Sequence, residues 1–349
     1  MNTEIKNETK LENCSFIKTV LLFLVVLYHS CVFWTGNWWD TEPVFPSIGL
    51  NYLSLWLNSF HVYAFTLASG YIFAYKISKR EYLNYLPFLR NKARRLIVPY
   101  YFTMIIWVAP ISAYLFKWNI IYLIKKFILC INPSQLWFLW MLFGVFAFVW
   151  PVRYYILEKP MLGWGLSLLF YAVGMVGRKL VPNFFCIWYS FEFYIFFYIG
   201  MRERKRDERS QRSLSSTIPW YVWLMVDLIL FGLHIMISGK SSFLWQIINL
   251  LMVFSLHSIG SLMAWTVLNA VGKVTVWKKN KKFMKVSKLS MPIYLFHQQV
   301  VYFTIIAFDG KMYPWLHAGV NFLVAFTVSL MISTILMKWK ITRLLIGEK

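Results

Sequence analysis

The segment FIKTVLLFLVVLYHS, Phe16 to Ser30, places a lysine and a histidine eleven residues apart inside an otherwise apolar run. At 3.6 residues and 5.4 Å per turn this spacing is about three turns, roughly 16 Å, so Lys18 and His29 share one helix face. That face joins a cation at a membrane boundary to a base within the span. An imidazole with an ordinary pKa near 6.5 keeps neutral base available at pH 7, which suits removal of a proton from a hydroxyl. An ionisable group at membrane depth is costly and points to function, although a histidine there can also serve helix packing through one hydrogen bond.

Other polar side chains fall in similar surroundings. His61 lies about eleven residues from the outer end of the second apolar run and His29 about six from the outer end of the first, so antiparallel helices bring the two imidazoles to neighbouring depths. Ser69 and Gly70 allow close backbone approach, whether for a site or for packing alone. Arg90, Lys92, Arg94 and Arg95 form a basic stretch at the start of the third run. Arg90 and Arg94, four apart, offer guanidinium forks for phosphate at the boundary, with topogenic charge as the other explanation. Glu192, Asp227, His234, His257, His297 and Gln298 also interrupt apolar runs, and polar groups at that depth are expected to converge on a cavity or on partners. For Glu192 and Asp227 pairing with a histidine or basic residue is expected. Cys14, Cys31, Cys130 and Cys186 are widely scattered, with neither CxxC nor ligand spacing, so neither a disulfide framework nor a metal site is indicated and they read as packing residues.

The elements that must position these groups are membrane helices. The chain of 349 residues is 59% hydrophobic and 20% aromatic, well above the apolar share of soluble domains. Apolar runs near spanning length fall at about 17–35, 50–75, 97–116, 134–150, 161–177, 184–201, 219–238, 243–268, 289–308 and 315–337. The expectation is an all-α polytopic membrane helical bundle of about ten transmembrane helices with both termini cytoplasmic. It reads as one integral-membrane domain over 1–349, with a polar tail at 1–15, the bundle at 16–338 and a tail at 339–349. In that orientation 29 of the 36 basic residues are inside and seven are outside (Lys117, Lys125, Lys126, Arg178, Lys179, Lys240 and Lys311). The net charge of +22 is therefore topology, and no nucleic-acid partner is expected. The polar N-terminus lacks a small-residue cleavage site, so the first run reads as a retained span. The fifth and sixth runs are short and broken by Gly174, Gly177 and Pro182, and 117–133 reads as an amphipathic segment at the outer interface. Trp34, Trp38, Trp39, Trp118, Trp137 and Trp220 mark the interfaces. The absence of G-x-x-x-x-G-K-[ST] and G-x-G-x-x-G argues against nucleotide hydrolysis and a Rossmann site.

Five blocks in order then resemble the acyltransferase-3 family of ten-span membrane enzymes. They are Lys18 through His29, SFHVYAFTLASGY (59–71), RNKARRLIVPYY (90–101), LWFLWMLFG (136–144) and LSMPIYLFHQ (289–298). The chain is most similar to the smaller sugar O-acetylases of that family. The resemblance implies transfer of an acyl group, acetyl first, from cytoplasmic acyl-CoA to a hydroxyl of a surface, capsular or exopolysaccharide sugar. It implies His29 and His61 as catalytic residues, Lys18, Arg90, Arg94 and Arg95 as acyl-CoA ligands, and Ser69, Gly70 and His297 as site-lining residues. Lys18 stands where the family has arginine, keeping the charge and losing the bidentate fork. No bound cofactor is implied, acyl-CoA being the donor substrate. The implied partners are the bilayer, a sugar or polysaccharide acceptor that in some members is lipid-linked, and polysaccharide-building machinery; the implied location is a bacterial plasma membrane. The three-turn climb from Lys18 to His29 is comparable to an extended pantetheine arm.

A transporter or flippase for polysaccharide or lipid-linked sugar is the alternative, because midplane polar groups in a ten-span bundle also suit alternating access. Against it stand the lack of an internal repeat and of paired broken helices. A scaffolding protein would explain the spans and leave the ordered motifs without a reason.

Overall fold

The computed structural model describes residues 3–36, 38, 41–208, 217–240, 242–272 and 280–348, with backbone alone for 3–12. Trp39, Arg209, Arg212, Lys273, Lys278, Lys279 and Lys349, and the side chains of Lys6 and Lys10, lie outside the described residues.

The helices that make up the apolar runs are α1 (Thr3–Cys31), α2 (Ile48–Ser78), α3 (Tyr85–Thr103), continued by α4 (Ala109–Phe116), α6 (Trp137–Glu158), α7 (Pro160–Leu180), α8 (Ile187–Glu208), α9 (Trp220–Ile237), α10 (Phe243–Gly272), α12 (Ser290–Phe308) and α13 (Pro314–Leu336). Short helices α5 (Ile120–Leu123), α11 (Lys281–Lys288) and α14 (Lys340–Leu345) complete the chain. Among the described residues nine helical stretches, one of them the continuous 85–116, are long and apolar enough to cross a membrane. The one predicted span outside these nine is the second, α2, which at 31 residues is longer than a bilayer requires. Its Asn51, Asn58, Ser59 and His61 dilute its hydropathy. Several buried hydroxyls are satisfied within their own helices: Thr19, Ser30, Ser54, Thr66 and Thr266 each donate to the carbonyl four residues back.

The chain divides into two compact units, each discontinuous in sequence. The first holds Met1–Ala74 and Ile199–Ser287. In it α10 packs on α1 and α9, and Asn13 Nδ2 donates to Asn269 Oδ1 at 2.6 Å. Trp34, expected at the interface, is instead 6% exposed and donates to the Phe45 carbonyl at 3.1 Å. It closes the hairpin after α1 rather than facing lipid.

The second unit holds Tyr75–Tyr198 and Lys288–Lys349. Here α3 packs on α6 and α14, and α12 on α13. The third span begins at Tyr85, twelve residues before the apolar run, so the basic stretch lies on the helix body. Charge does not end a helix whose heads reach water, and Phe88 and Leu96 bury the opposite side. Between α3 and α4 the backbone widens to a π-turn over Met104–Val108, because Pro110 has no N–H to reach the carbonyl four residues back. The short fifth and sixth runs become full helices of 21 and 22 residues. Gly174 and Gly177 do not break α7; a Cβ at either would strike Trp188, so they form the groove that takes α8. The segment after α4 holds α5 and a π-turn over Ile124–Ile128, with Lys126 of that turn 4.9 Å above the Trp118 ring and burial lowering its ammonium pKa.

Candidate active site

In the first unit α1 runs unbroken through Lys18 and His29, as their spacing predicts. The ring of Tyr28 lies 4.9 Å from that of His29 and 4.9 Å from that of His61, so one phenol is flanked by the imidazoles of two helices. Trp38 approaches His29 at 6.2 Å. Lys18 Nζ stands 5.7 Å over the ring of Phe65, one turn beyond His61 on α2. His61 is 1% exposed.

Each histidine repeats the hydroxyl pattern of its helix. His29 Nδ1 lies 2.9 Å from the Val25 carbonyl oxygen and His61 Nδ1 2.6 Å from that of Leu57. A carbonyl only accepts, so Nδ1 carries the hydrogen in both rings. The lone pair of each neutral imidazole is therefore at Nε2, and the backbone fixes both tautomer and ring direction. Two oriented bases with matched tautomers are suited to general-base work.

Further along α2, Ser69 Oγ donates to Phe65 O at 3.0 Å, and Ser69 and Gly70 are buried. The close approach their small size predicts is met by Gly200, where a Cβ would collide with the Leu67 carbonyl oxygen and lie 2.9 Å from Tyr71 N. Tyr71 then donates its hydroxyl to Asp207 Oδ2 at 2.7 Å. Sequence reasoning passed over Tyr28 and Tyr71, since a tyrosine in an aromatic-rich apolar run carries no distinct signal.

The basic stretch of the second unit divides between two faces of α3. Arg90 and Arg94 are exposed together on one face. Asn91, Lys92 and Arg95 line a cleft of about 500 Å³ with Lys76, Arg80, Glu81 and Tyr82. The end of α2 builds the other wall. Arg80 takes a left-handed φ of 56°, with Arg80 N donating to Ile77 O and Glu81 N to Lys76 O, the paired bonds that close a helix C-terminus. Trp150 Nε1 holds the following loop through Tyr82 O at 3.2 Å. Lys76 pairs with Glu81 at 2.6 Å, and Lys92 Nζ sits 3.8 Å over Phe146 and 5.2 Å over Tyr82. Four cations against one carboxylate leave the lining positive. Burial and the Glu81 carboxylate push the Tyr82 phenol up to about 12 against the pull of Arg95, so Tyr82 remains a neutral donor. On the far side, burial raises the carboxyl pKa of Glu348 while Arg95 draws it down; Gly347, at φ +82°, has no room for a Cβ against Arg95 O.

His297, also in the second unit, is fully buried, with Nδ1 2.7 Å from Tyr294 O. It belongs to a polar layer that the sequence did not disclose. Gln135 Nε2 donates to Gln299 Oε1 at 2.7 Å and to Leu295 O at 3.2 Å, and Tyr294 donates its hydroxyl to the Gln135 carbonyl.

The remaining intramembrane polar groups are spread over separate contacts. Glu192 pairs with Arg178 at 3.0 Å, as expected. Asp227 departs from expectation: its partner is the indole N–H of Trp56 at 2.8 Å, and its Oδ1 lies against Gly260, where a Cβ would come within 2.9 Å of it. His257 stacks on Tyr63 at 4.0 Å. His317, which sequence reasoning overlooked, sets Nε2 3.3 Å from Thr304 O between α12 and α13. Among the described residues no three His, Cys, Asp or Glu side chains cluster as metal ligands.

The apolar helices define a multi-pass membrane protein. The acyltransferase domain family matches residues 14–338, and the chain belongs to this acyltransferase-3 family. It is a membrane acyltransferase. No curated protein and no solved structure matches it significantly.

Proposed function

We propose that this enzyme transfers an acyl group, acetyl in the first instance, from cytoplasmic acyl-CoA to a hydroxyl of a cell-surface or capsular sugar. The observation that carries this reading is the histidine pair around Tyr28, with both Nδ1 atoms engaged by backbone carbonyls. His29 Nε2 takes the proton of the attacking hydroxyl as its oxygen bonds to the thioester carbonyl, and His61 supports the same proton. The tetrahedral oxyanion collapses, the C–S bond breaks, and the imidazolium returns the proton to the departing thiolate of CoA. Ester and free CoA thiol are the products, with no net proton change.

The basic cleft is assigned to the phosphates of the donor: Arg95 acts as the earlier motif implies, and Lys92, Arg80 and Lys76 join it. Arg90 and Arg94 then add diffuse attraction, and Lys18 supplies a cation on the base-bearing helix, three turns from His29. The excess of basic residues in alternate loops supports an orientation with both termini and the cleft in the cytoplasm of a plasma membrane. A bacterial setting, a polysaccharide acceptor that is free or lipid-linked, and neighbouring polysaccharide-building enzymes follow from the same reading.

The test is transfer of radiolabelled acetyl from acetyl-CoA to envelope polysaccharide in membranes carrying the wild type or His29→Ala. Label incorporated by the wild type alone supports the reading. Equal incorporation by both removes His29 from the chemistry, and cargo that crosses the membrane without gaining label points to transport.

A further inference from the structure

Cys130 and Cys186 lie fifty-six positions apart, the first in the 117–133 segment at the outer interface and the second at the outer end of the sixth apolar run, as the charge count orients it. In the second unit the two segments meet. Phe185 N donates to Leu129 O at 2.9 Å, and Cys186 Sγ lies 3.3 Å from the carbonyl oxygen of Cys130. Both cysteines are 0% exposed. The Cys186 thiol thus reaches the main chain of Cys130, while Cys130 Sγ lies 3.5 Å from the carbonyl oxygens of Phe127 and Ile128; both thiols are free in this structure.

The backbone on both sides is unusual in the same way. Cys130 has φ 55° and Cys186 φ 56°, with Asn132, Ser134 and Phe185 also at positive φ. Five non-glycine residues in the left-handed region within two short turns persist only where the surroundings over-determine them. The Phe185 backbone hydrogen bond and the Cys186 thiol contact join the two turns. A thiol is a weak donor, and a covalent tie would do that work better.

We propose that Cys130 and Cys186 form a disulfide in the mature protein, tying the turn before α6 to the turn before α8. The pair has an oxidising compartment to face, unlike cytoplasmic thiols. The step is thiol–disulfide exchange with an extracytoplasmic disulfide oxidant. One cysteine thiolate attacks the oxidant's disulfide, and the second thiolate displaces the mixed disulfide. One S–S bond forms in this chain, the oxidant is reduced to its dithiol, and the two protons lost by the cysteines end on it. The tie pins the loop that carries Gln135 against α8 and so fixes one end of the Gln135–Gln299 layer. It is independent of the acyl-transfer assignment.

The test uses full-length protein in native membranes. Free thiols are blocked with N-ethylmaleimide during denaturation without reductant. The sample is then reduced, newly exposed thiols are marked with iodoacetamide, and each cysteine is read by mass spectrometry. The expected result is iodoacetamide on Cys130 and Cys186 together, with N-ethylmaleimide on Cys14 and Cys31. Substituting Cys130→Ser should shift Cys186 to the N-ethylmaleimide pool. N-ethylmaleimide on both Cys130 and Cys186 of the wild type, after exposure to oxidised glutathione, would overturn the proposal, and that measurement needs no variant to fold.

Discussion

The histidine pair of the first unit and the basic cleft of the second solve opposite problems. At the pair the functional nitrogens are aimed by the backbone of their own helices, and Tyr28 separates them with an aromatic ring. At the cleft the charges come from a helix end, a loop and the first turns of another helix, all within reach of water. Direction is rigid in the first case and charge is plentiful in the second. A proton transfer depends on where one lone pair points, whereas recognition of a phosphate depends on summed positive potential and a few donors. Losing one group should therefore be catastrophic at the pair and graded at the cleft.

The largest expected effect is on turnover. His29→Ala should lower kcat by roughly 10² to 10⁴, the usual worth of a positioned general base, with KM for acyl-CoA little changed. His61→Ala should cost less alone. The double variant should fall no further than His29→Ala, because groups acting on one proton are non-additive. Steady-state kinetics on detergent-solubilised protein measures all three. Independent multiplicative losses would show two separate roles and dissolve the pair as a unit.

The cleft should respond in the other parameter. Arg95→Ala removes one of four cations and should raise KM for acyl-CoA about tenfold, as one charge-assisted hydrogen bond at a wetted site would. The kcat should remain within about twofold. The wild-type KM should climb with added salt, and the variant's should climb less steeply, since part of the screened attraction is gone. A fall in kcat with unchanged KM would place Arg95 in the chemistry and erase the contrast between the two regions.

How much of this was legible in the sequence follows the same division. The eleven-residue spacing of Lys18 and His29 survived intact, because helix periodicity is local and the span is continuous. Neighbouring depths for His29 and His61 were also legible from counting toward the outer ends. Tyr28, between them, was not, since nothing in Leu27-Tyr28-His29 distinguishes a ring that bridges helices from one that fills lipid-facing volume. The cleft was only half legible. Arg95 belonged to a visible basic motif, but Lys76 sits in the last turn of α2 and Arg80 just past it, at a left-handed closure on a non-glycine residue that has no sequence signal. The Gln135–Gln299 pair joins residues 164 positions apart, a distance over which a single sequence reports nothing. Trp34 looked like a membrane-interface anchor and became a buried hairpin clasp, because composition shows where tryptophans gather and not which one the chain folds over.

The smallest prediction separates charge from shape at the cleft. Glu348 is the carboxylate whose pKa responds to Arg95 from the C-terminal side, so it competes with any anion for that guanidinium. A partly exposed pair of this kind is worth at most about 1 kcal/mol, which is no more than about fivefold in affinity. Glu348→Gln keeps the side-chain size and should lower KM for acyl-CoA by about two- to threefold while leaving kcat unchanged. The gain should fade as salt is raised, in parallel with the screening of Arg95 itself. If KM instead rises, Glu348 is needed to hold Arg95 in position, and the cleft depends on orientation as strictly as the histidine pair does.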